Sequence, residues 1–403
     1  MTNLPQGWEV KTLSEIGEIV TGSTPSKSNL DFYGKDYPFF KPSDFEQGYF
    51  LENAGDNLSK LGFGKARQLP PKTILVVCIG SLGKVALTKV IGSCNQQINA
   101  IIPHKNIISE YIYYYCISSK FQSILFSKAP QTTLAILNKT EFSKLEIIYP
   151  KDIKEQERIV GILDFAFSKI DENIKKAKEN LANIDELMQS ALQKAFNPLN
   201  DNTKENYQLP QSWEWKSLGD TSNYGKTSQV KPSQLKGNDW ILELEDIEKE
   251  SGVLLQKVLF QDRQSKSNKI KFNKGDILFG TLRPYLKKVI IADDNGACSS
   301  EIMPFSTGNS ITNHFIYYYL FANFLHDRIS NLTYGARMPR LGTKDGKSLQ
   351  IPLPPLQEQE QIAEHLDFVF EKAKALKELY TKELKDYEEL KQSLLDKAFK
   401  GEL

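Results

Sequence analysis

Few stretches of this chain carry residue types that could do chemistry, and their spacing decides against most of it. Gly80-Ser81-Leu82-Gly83-Lys84 approaches a phosphate-cradling GxxxxGK[ST] loop. The first glycine of that pattern falls at Cys78, however, and Lys84 is followed by Val85 rather than Ser or Thr. Glu243, Glu245 and Lys249 could serve a metal-dependent nuclease, but such an acidic alternation is equally a solvated face or a strand edge. Nothing equivalent stands in the first half of the chain. Asn197-Pro198-Leu199-Asn200 lacks the second proline and the aromatic ring of the Asn/Asp-Pro-Pro-aromatic motif of methyltransferases acting on base amino groups. Cys78, Cys94, Cys116 and Cys298 show no CxxC spacing, and His104, His314, His326 and His365 are scattered. No metal site is therefore expected, and the thiols read as buried and reduced. No Ser/His/Asp arrangement is indicated. Large domains without a catalytic constellation suit recognition and scaffolding.

The bulk composition permits this. A chain of 403 residues can form two or three domains with real cores. Lys+Arg 51 against Asp+Glu 50 leaves no global field, so any affinity for nucleic acid must come from cations gathered on one face. Charge is indeed segregated locally: residues 263–288 are basic and residues 243–248 acidic. The longest apolar run, Thr73 to Ile79, is far short of the ~20 residues of a membrane span. No signal peptide follows Met1, so a soluble cytoplasmic protein with no membrane association is expected.

The elements that would position any site are duplicated. Glu155-Gln156-Glu157-Arg158-Ile159, Leu163-Asp164-Phe165-Ala166-Phe167 and Lys194-Ala195-Phe196 return as Glu358-Gln359-Glu360-Gln361-Ile362, Leu366-Asp367-Phe368-Val369-Phe370 and Lys397-Ala398-Phe399. The period is roughly 200 residues, too long for a solenoid. Each copy reads as a long amphipathic helix. The first carries Leu163, Phe167, Ile170, Ile174, Ala177, Leu181, Ile184, Met188, Ala191 and Ala195 at alternating steps of four and three, a heptad seam. The second carries Leu366, Phe370, Ala373, Tyr380, Leu384, Tyr387 and Leu394 at the same places. It breaks at Lys377 and Lys391, where Leu376 and Leu390 stand one residue earlier. The seams are expected to pair with each other, antiparallel if the halves are related by a pseudo-twofold.

Each half opens alike, at Leu4-Pro5-Gln6-Gly7-Trp8 and Leu209-Pro210-Gln211-Ser212-Trp213, with both tryptophans expected in the core. Short apolar runs bounded by Gly, Pro, Asn and Ser predict strand-rich domains over residues 1–150 and 209–353. The spacer helices are expected over 151–196 and 354–403, with a polar linker at 197–208. Within the domains, helices are predicted from Ser109 to Phe126 and from Thr312 to Ile329, their tyrosines packed inward.

The order and duplication of these motifs resemble the specificity subunit of type I restriction-modification systems. The resemblance rests on the Leu-Pro-x-x-Trp openings, on Pro352 to Gln359 with its degenerate copy Tyr149 to Gln156, and on Leu192 to Phe196 with Leu395 to Phe399. It implies an α+β fold: two strand-rich target-recognition domains separated by an antiparallel coiled coil. It implies a non-catalytic subunit in which each domain reads half of a bipartite, asymmetric site on double-stranded DNA. Two modification subunits, carrying S-adenosylmethionine for adenine-N6 methylation, would dock on the helices. Two restriction subunits would bring ATP and magnesium, and this chain itself would bind no cofactor.

Base reading under this resemblance needs Arg, Lys, Asn, Gln or hydroxyl groups on loops. Corresponding positions in the repeats select Thr21, Ser23, Thr24, Ser81, Lys84, Gln96, Gln97, Thr132 and Thr133 in the first domain. In the second they select Lys226, Ser228, Arg283, Tyr285, Lys287, Ser299, Ser300, Arg337 and Arg340. Arg337 and Arg340 stand out because their loop also carries Gly335 and Pro339. Two other readings remain open: a related system whose methyltransferase and nuclease are fused in one partner, and a coiled-coil scaffold with no DNA role.

Overall fold

A computed structural model describes residues 4–129, 135–200, 207–263 and 265–403. The chain forms two compact units, Met1–Ala177 with Lys382–Leu403, and Lys178–Thr381. The division cuts through both long helices, so each unit owns a globular domain and a stretch of each helix.

In the first unit a five-stranded sheet runs in the order Gly17–Thr21, Ile98–Pro103, Ile74–Val77, Val85–Thr88, Phe50–Leu51. Its pairs are antiparallel except the last. Ile74–Val77 is buried on both faces, which is why it reads as an unbroken apolar run. A smaller sheet orders Asp56–Leu58, Tyr33–Phe40 and Ser93–Cys94. The domain's ends meet, since Trp8–Thr12 pairs antiparallel with Glu146–Pro150 just before the first long helix.

The second unit repeats the plan. Glu214–Ser217 pairs with Gln350–Leu353. One sheet orders Gln229–Val230, Lys269–Phe272, Gly296–Cys298 and Trp240–Leu242, and another Val289–Ile291, Ile277–Gly280 and Ile302–Phe305. Trp213 is buried, and Trp8 packs half-buried against its core.

The helix predicted from Ser109 to Phe126 is two helices, Ser109–Ile117 and Ser119–Lys128. Ser118 takes an extended conformation (φ −67°, ψ 148°) and its hydroxyl accepts from the Phe121 N–H, so it caps a new helix instead of continuing the old one. The counterpart divides likewise into Asn313–Tyr319 and Asn323–Leu332. Tyr111, Tyr114 and Tyr115 are core residues, as are Tyr318 and Tyr319.

The long helices are Ile153–Phe196 and Leu356–Ala398. Within the first unit Leu163 and Phe167 share a core with Leu395, Ala398 and Phe399. Within the second, Ile184 and Met188 pack on Ala373, and Leu192 and Phe196 join Leu366. In each unit the contacts climb one helix as they descend the other. Arg158 donates to the Leu403 carbonyl and Lys391 to Asp171, while Asn180 donates to the Tyr380 hydroxyl and Lys377 pairs with Asp185. The pairing is antiparallel. Ile174, Leu181, Leu384 and Tyr387 are half-buried along it.

A buried glutamine joins each domain to its helix. Gln156 is 0% exposed; its Oε1 accepts from the Ile108 N–H (2.9 Å) and its Nε2 donates to the Pro150 (2.9 Å) and Asn106 (3.4 Å) carbonyls. Gln359, also 0% exposed, accepts from the Thr312 N–H (2.9 Å) and donates to the Pro354 (2.8 Å) and Ser310 (3.0 Å) carbonyls. Two turns on, Tyr114 donates to Asp164 (2.6 Å) and Tyr318 to Asp367. The other helix reaches the same domain: Gln392 accepts from the Ser119 N–H, and Gln189 bridges the Phe321 carbonyl and the Asn323 N–H. Each domain is thus held by both helices.

Candidate nucleic-acid interface

In the first unit, backbone hydrogen bonds bring three of the selected segments together. The Gly22 N–H donates to Ile98 and the Ser23 N–H to Cys94, and the Cys78 N–H donates to Gln97. The side chains follow. Thr21 donates to Asn99 (2.6 Å) and Thr24 to Gln96 (2.6 Å). Gln97 turns back, accepting from Asn95 and donating to the Ile79 carbonyl. Gln96 and Ser81 are exposed, whereas Lys84 pairs with Glu46 (2.5 Å). A lysine held by a carboxylate must exchange that partner before it can serve a phosphate. Thr132 and Thr133 lie outside the described residues. The segment just after them is stitched to the 80–84 turn, where the Gly80 N–H donates to Ala135 and the Leu137 N–H to Cys78. Gly83 holds φ +89° at that turn; a Cβ would meet Gln122 Oε1 at 2.3 Å. The glycines of the near-phosphate-loop sequence therefore answer to a tight turn packed on the helix Ser119–Lys128.

The second unit builds the equivalent place with different side chains. Thr333–Tyr334 and Arg340–Leu341 form a hairpin with Arg337 and Met338 at its tip. The loop 281–287 is sewn to it: the Arg283 N–H donates to Pro339 (2.7 Å) and the Leu341 N–H to Thr281 (2.9 Å). Arg283 is left-handed (φ +50°), as is Lys287 (φ +45°). Such conformations cost about 1–3 kcal/mol each and persist only where the surroundings fix them. Here the fixing bonds run from the Leu286 N–H to Arg283 and from the Lys287 N–H to Pro284. The result is an exposed group of Arg283, Tyr285, Tyr334, Arg337 and Met338. A cleft of about 610 Å³ opens beside it, bordered by Glu245, Glu301, Arg283 and Met338.

Several selected residues do not face outward. Lys287 is 5% exposed and donates to Asn323, so it is not a surface cation; burial lowers its pKa, against the pull of Glu250, Asp327 and Asp185. Ser299 is buried and its hydroxyl has no partner among the described residues, while Ser300 is exposed. Arg340 is half-buried, its Nε enclosed without a partner among the described residues. Lys226 and Ser228 are exposed, Ser228 lending its carbonyl to the Lys271 N–H.

The exposed group also holds Tyr334 and Met338, which sequence reasoning did not select, and is bordered by Glu245, which it read only as a nuclease candidate or a solvated face. Tyr334 and Met338 flank the chosen arginines, so apolar residues in a Gly- and Pro-bearing loop were the available signal. The acidic stretch is mostly engaged: Glu243 pairs with Lys269, and Asp246 with Arg263. Burial presses the Asp246 pKa upward, but the Arg263, Glu243 N–H and Gln256 hydrogen bonds outweigh it and the net shift is downward. Among the described residues no group of three or more His, Cys, Asp or Glu is placed to hold a metal ion. All four thiols are buried, and burial pushes Cys78 and Cys94 up to about 12. Among the described residues no helix is long and apolar enough to cross a membrane.

In the second unit His326 is 6% exposed, with its Nε2 against the Leu320 carbonyl (2.6 Å) and its Nδ1 without a partner among the described residues. Burial, reinforced by the nearby Lys287 and opposed by that carbonyl, lowers its pKa to about 4. An unfolded histidine takes up its proton near 6.5, so the unfolded state binds it first on acidification. Unit 2 is expected to lose about 3 kcal/mol of stability as pH falls from 6.5 to 4. Urea midpoints at pH 7.5 and 4.5 measure this, and His326→Gln should flatten the difference.

A family profile described as "Type I restriction modification DNA specificity domain" matches residues 5–183 and 210–385. The chain is similar to the type I restriction enzyme HindI specificity subunit of Haemophilus influenzae, 39% identical over 176 residues, or 42% of this chain and 38% of that protein. The similarity to the MjaIX specificity subunit of Methanocaldococcus jannaschii is 29% over 226 residues, 54% of this chain and 52% of that one. The chain therefore spans about two fifths and about half of these relatives' lengths. Against the EcoDI specificity subunit of Escherichia coli it is 23% identical, covering 99% of this chain and 89% of the other. In fold it matches a chain from a structure titled for the complex assembly and conformational transition of the type I R-M system, with TM-score 0.79, 19% identity and full coverage of both chains. The HsdS subunit from Thermoanaerobacter tengcongensis gives TM-score 0.55 at 20% identity, covering 99% and 98%.

Proposed function

The chain belongs to the type I restriction-modification DNA specificity family, and from that premise we propose that each domain reads one half of a bipartite, asymmetric site on double-stranded DNA. One observation carries this reading. The two units set equivalent stitched loops at the same place in the same plan but furnish them differently. The first offers Gln96, Ser81 and Thr24; the second offers Arg283, Tyr285 and Arg337. Amide and hydroxyl groups read adenine and mixed edges, whereas guanidinium forks favour guanine, so the half-sites differ.

The long helices act as the spacer between half-sites and as the docking surface for two modification subunits. Their exposed apolar residues support the docking role because they recur in both copies: Phe165 with Phe368 and Leu187 with Leu390. Methyl transfer from S-adenosylmethionine, and ATP- and magnesium-dependent translocation and cleavage by restriction subunits, belong to those partners. This chain supplies the address.

Methylome sequencing of a host expressing this chain with its partners tests the reading. A bipartite, asymmetric methylated motif is expected; methylation without one would support the scaffold reading. Inserting one heptad into both long helices should lengthen the spacer by about three base pairs, from ~10.5 Å of added helix at ~3.4 Å per base pair. The half-site sequences should stay unchanged.

A further inference from the structure

Two ion pairs interrupt the apolar seam, one in each unit. Lys391, 16% exposed, binds Asp171 at 2.5 Å and lies over the Phe167 ring. Lys377, 32% exposed, pairs with Asp185. On each helix the charged residues stand two heptads apart. Leucines that could have filled the seam stand one position earlier and are left exposed, Leu376 at 42% and Leu390 at 45%. A lysine in a coiled-coil seam costs stability and specifies partner and register.

The duplication makes the specified partner readable. The helices align residue for residue from Glu155 with Glu358 to Lys194 with Lys397. The first helix holds Met188 where the second holds Lys391, and Ile174 where it holds Lys377. The second holds Lys374 where the first holds Asp171, and Glu388 where it holds Asp185. Two copies of the second helix in the same antiparallel register would set the mostly buried Lys391 against Lys374, a like-charge meeting, while Lys377 would meet Glu388 and keep a carboxylate partner. Two copies of the first would set Asp171 against Met188 and Asp185 against Ile174, with no cation for either carboxylate. Every chain carries one helix of each kind. Like-with-like exchange between chains must therefore create a poor second-helix pair for each first-helix pair.

We propose that Lys377–Asp185 and Lys391–Asp171 form a pairing code: both pairs admit the first helix as partner of the second, and Lys391, which would meet Lys374, disfavours a like helix from a second copy of this chain. The inference rests on the packing inside each unit and not on the DNA reading. Its consequence for that reading is direct, because homotypic pairing would join two identical domains.

The test uses two differently tagged full-length chains, co-expressed. Wild-type chains should not co-purify. A chain bearing D171K and D185K, co-expressed with one bearing K377D and K391D, can satisfy its seam only across chains. It should co-purify at about ten-fold or more above the wild-type pair, the ratio produced by about 1.4 kcal/mol of preference. A chain carrying all four changes should return to a single-chain mass by light scattering, with a thermal midpoint close to wild type. The proposal is overturned if the reversed chains co-purify no more than wild type, or if each alone matches wild type in mass and stability. It is also overturned if the four-fold reversal is no better than either half. Because these readouts are mass and pairing, they stand or fall apart from any methylated motif.

Discussion

Replacing Gln359 by leucine should destabilise the second unit by about 3–5 kcal/mol, because burial at 0% exposure leaves three backbone groups without their partner. Leucine matches the volume but neither donates nor accepts. The Thr312 N–H and the Ser310 and Pro354 carbonyls would then sit at a buried joint with their hydrogen bonds unmade, each costing about 1–3 kcal/mol less any relaxation. Tryptophan fluorescence suits the measurement, since Trp213, Trp215 and Trp240 lie in this unit and only Trp8 in the other. A urea titration should show that signal moving to lower denaturant. Gln361→Leu, two residues away and exposed, should stay within about 0.5 kcal/mol of wild type. If both variants unfold alike, the joint contributes nothing beyond side-chain volume.

Arg337→Ala should weaken binding to the cognate site by about 10- to 100-fold, the range of one lost base-edge fork, with the loss confined to one half-site. Arg337 sits at the hairpin tip, exposed, so its removal leaves the fold intact. Competition binding by the assembled complex against DNA mutated in either half-site separates the cases. Loss of discrimination at one half-site supports one domain for one half-site; equal loss at both contradicts it. If Arg337 instead holds a phosphate, affinity falls for all sequences alike and the salt slope drops by about one. Arg340→Ala should act on the same half-site, because Arg340 closes the hairpin that presents Arg337.

The helices were legible because heptad spacing is imposed by the geometry they adopt. Even the departures at Lys377 and Lys391 marked real events. What could not be read was their sense: a break in an apolar pattern does not say whether the helix rotates to bury Leu376 and Leu390 or keeps its lysines in the seam. The aspartates opposite decide that, and their proximity is tertiary. The strand-rich domains were legible as a class from short apolar runs. The break at Ser118 was not, since the tyrosine spacing passes through it and only the cap geometry reveals it. At the candidate interface, repeat correspondence chose segments that the fold brings together but could not orient side chains. Lys287 and Arg283 share a loop and a backbone conformation, yet one is buried and the other exposed. Gln156 and Gln359 were visible as a repeated residue, but only the fold shows them enclosed.

The two glutamine joints have a consequence for how this protein can change. Among their hydrogen bonds, every partner is a main-chain group: N–H of Ile108 or Thr312, and carbonyls of Asn106, Pro150, Ser310 or Pro354. Main-chain groups are common to all sequences, so the socket tests a domain's local path and ignores its side chains. A recognition domain of new sequence, arriving by recombination, would fit the same socket provided that its entry and exit segments keep that path. The molecule thus couples an invariant fitting to interchangeable heads, and new specificities become accessible without redesign of the frame.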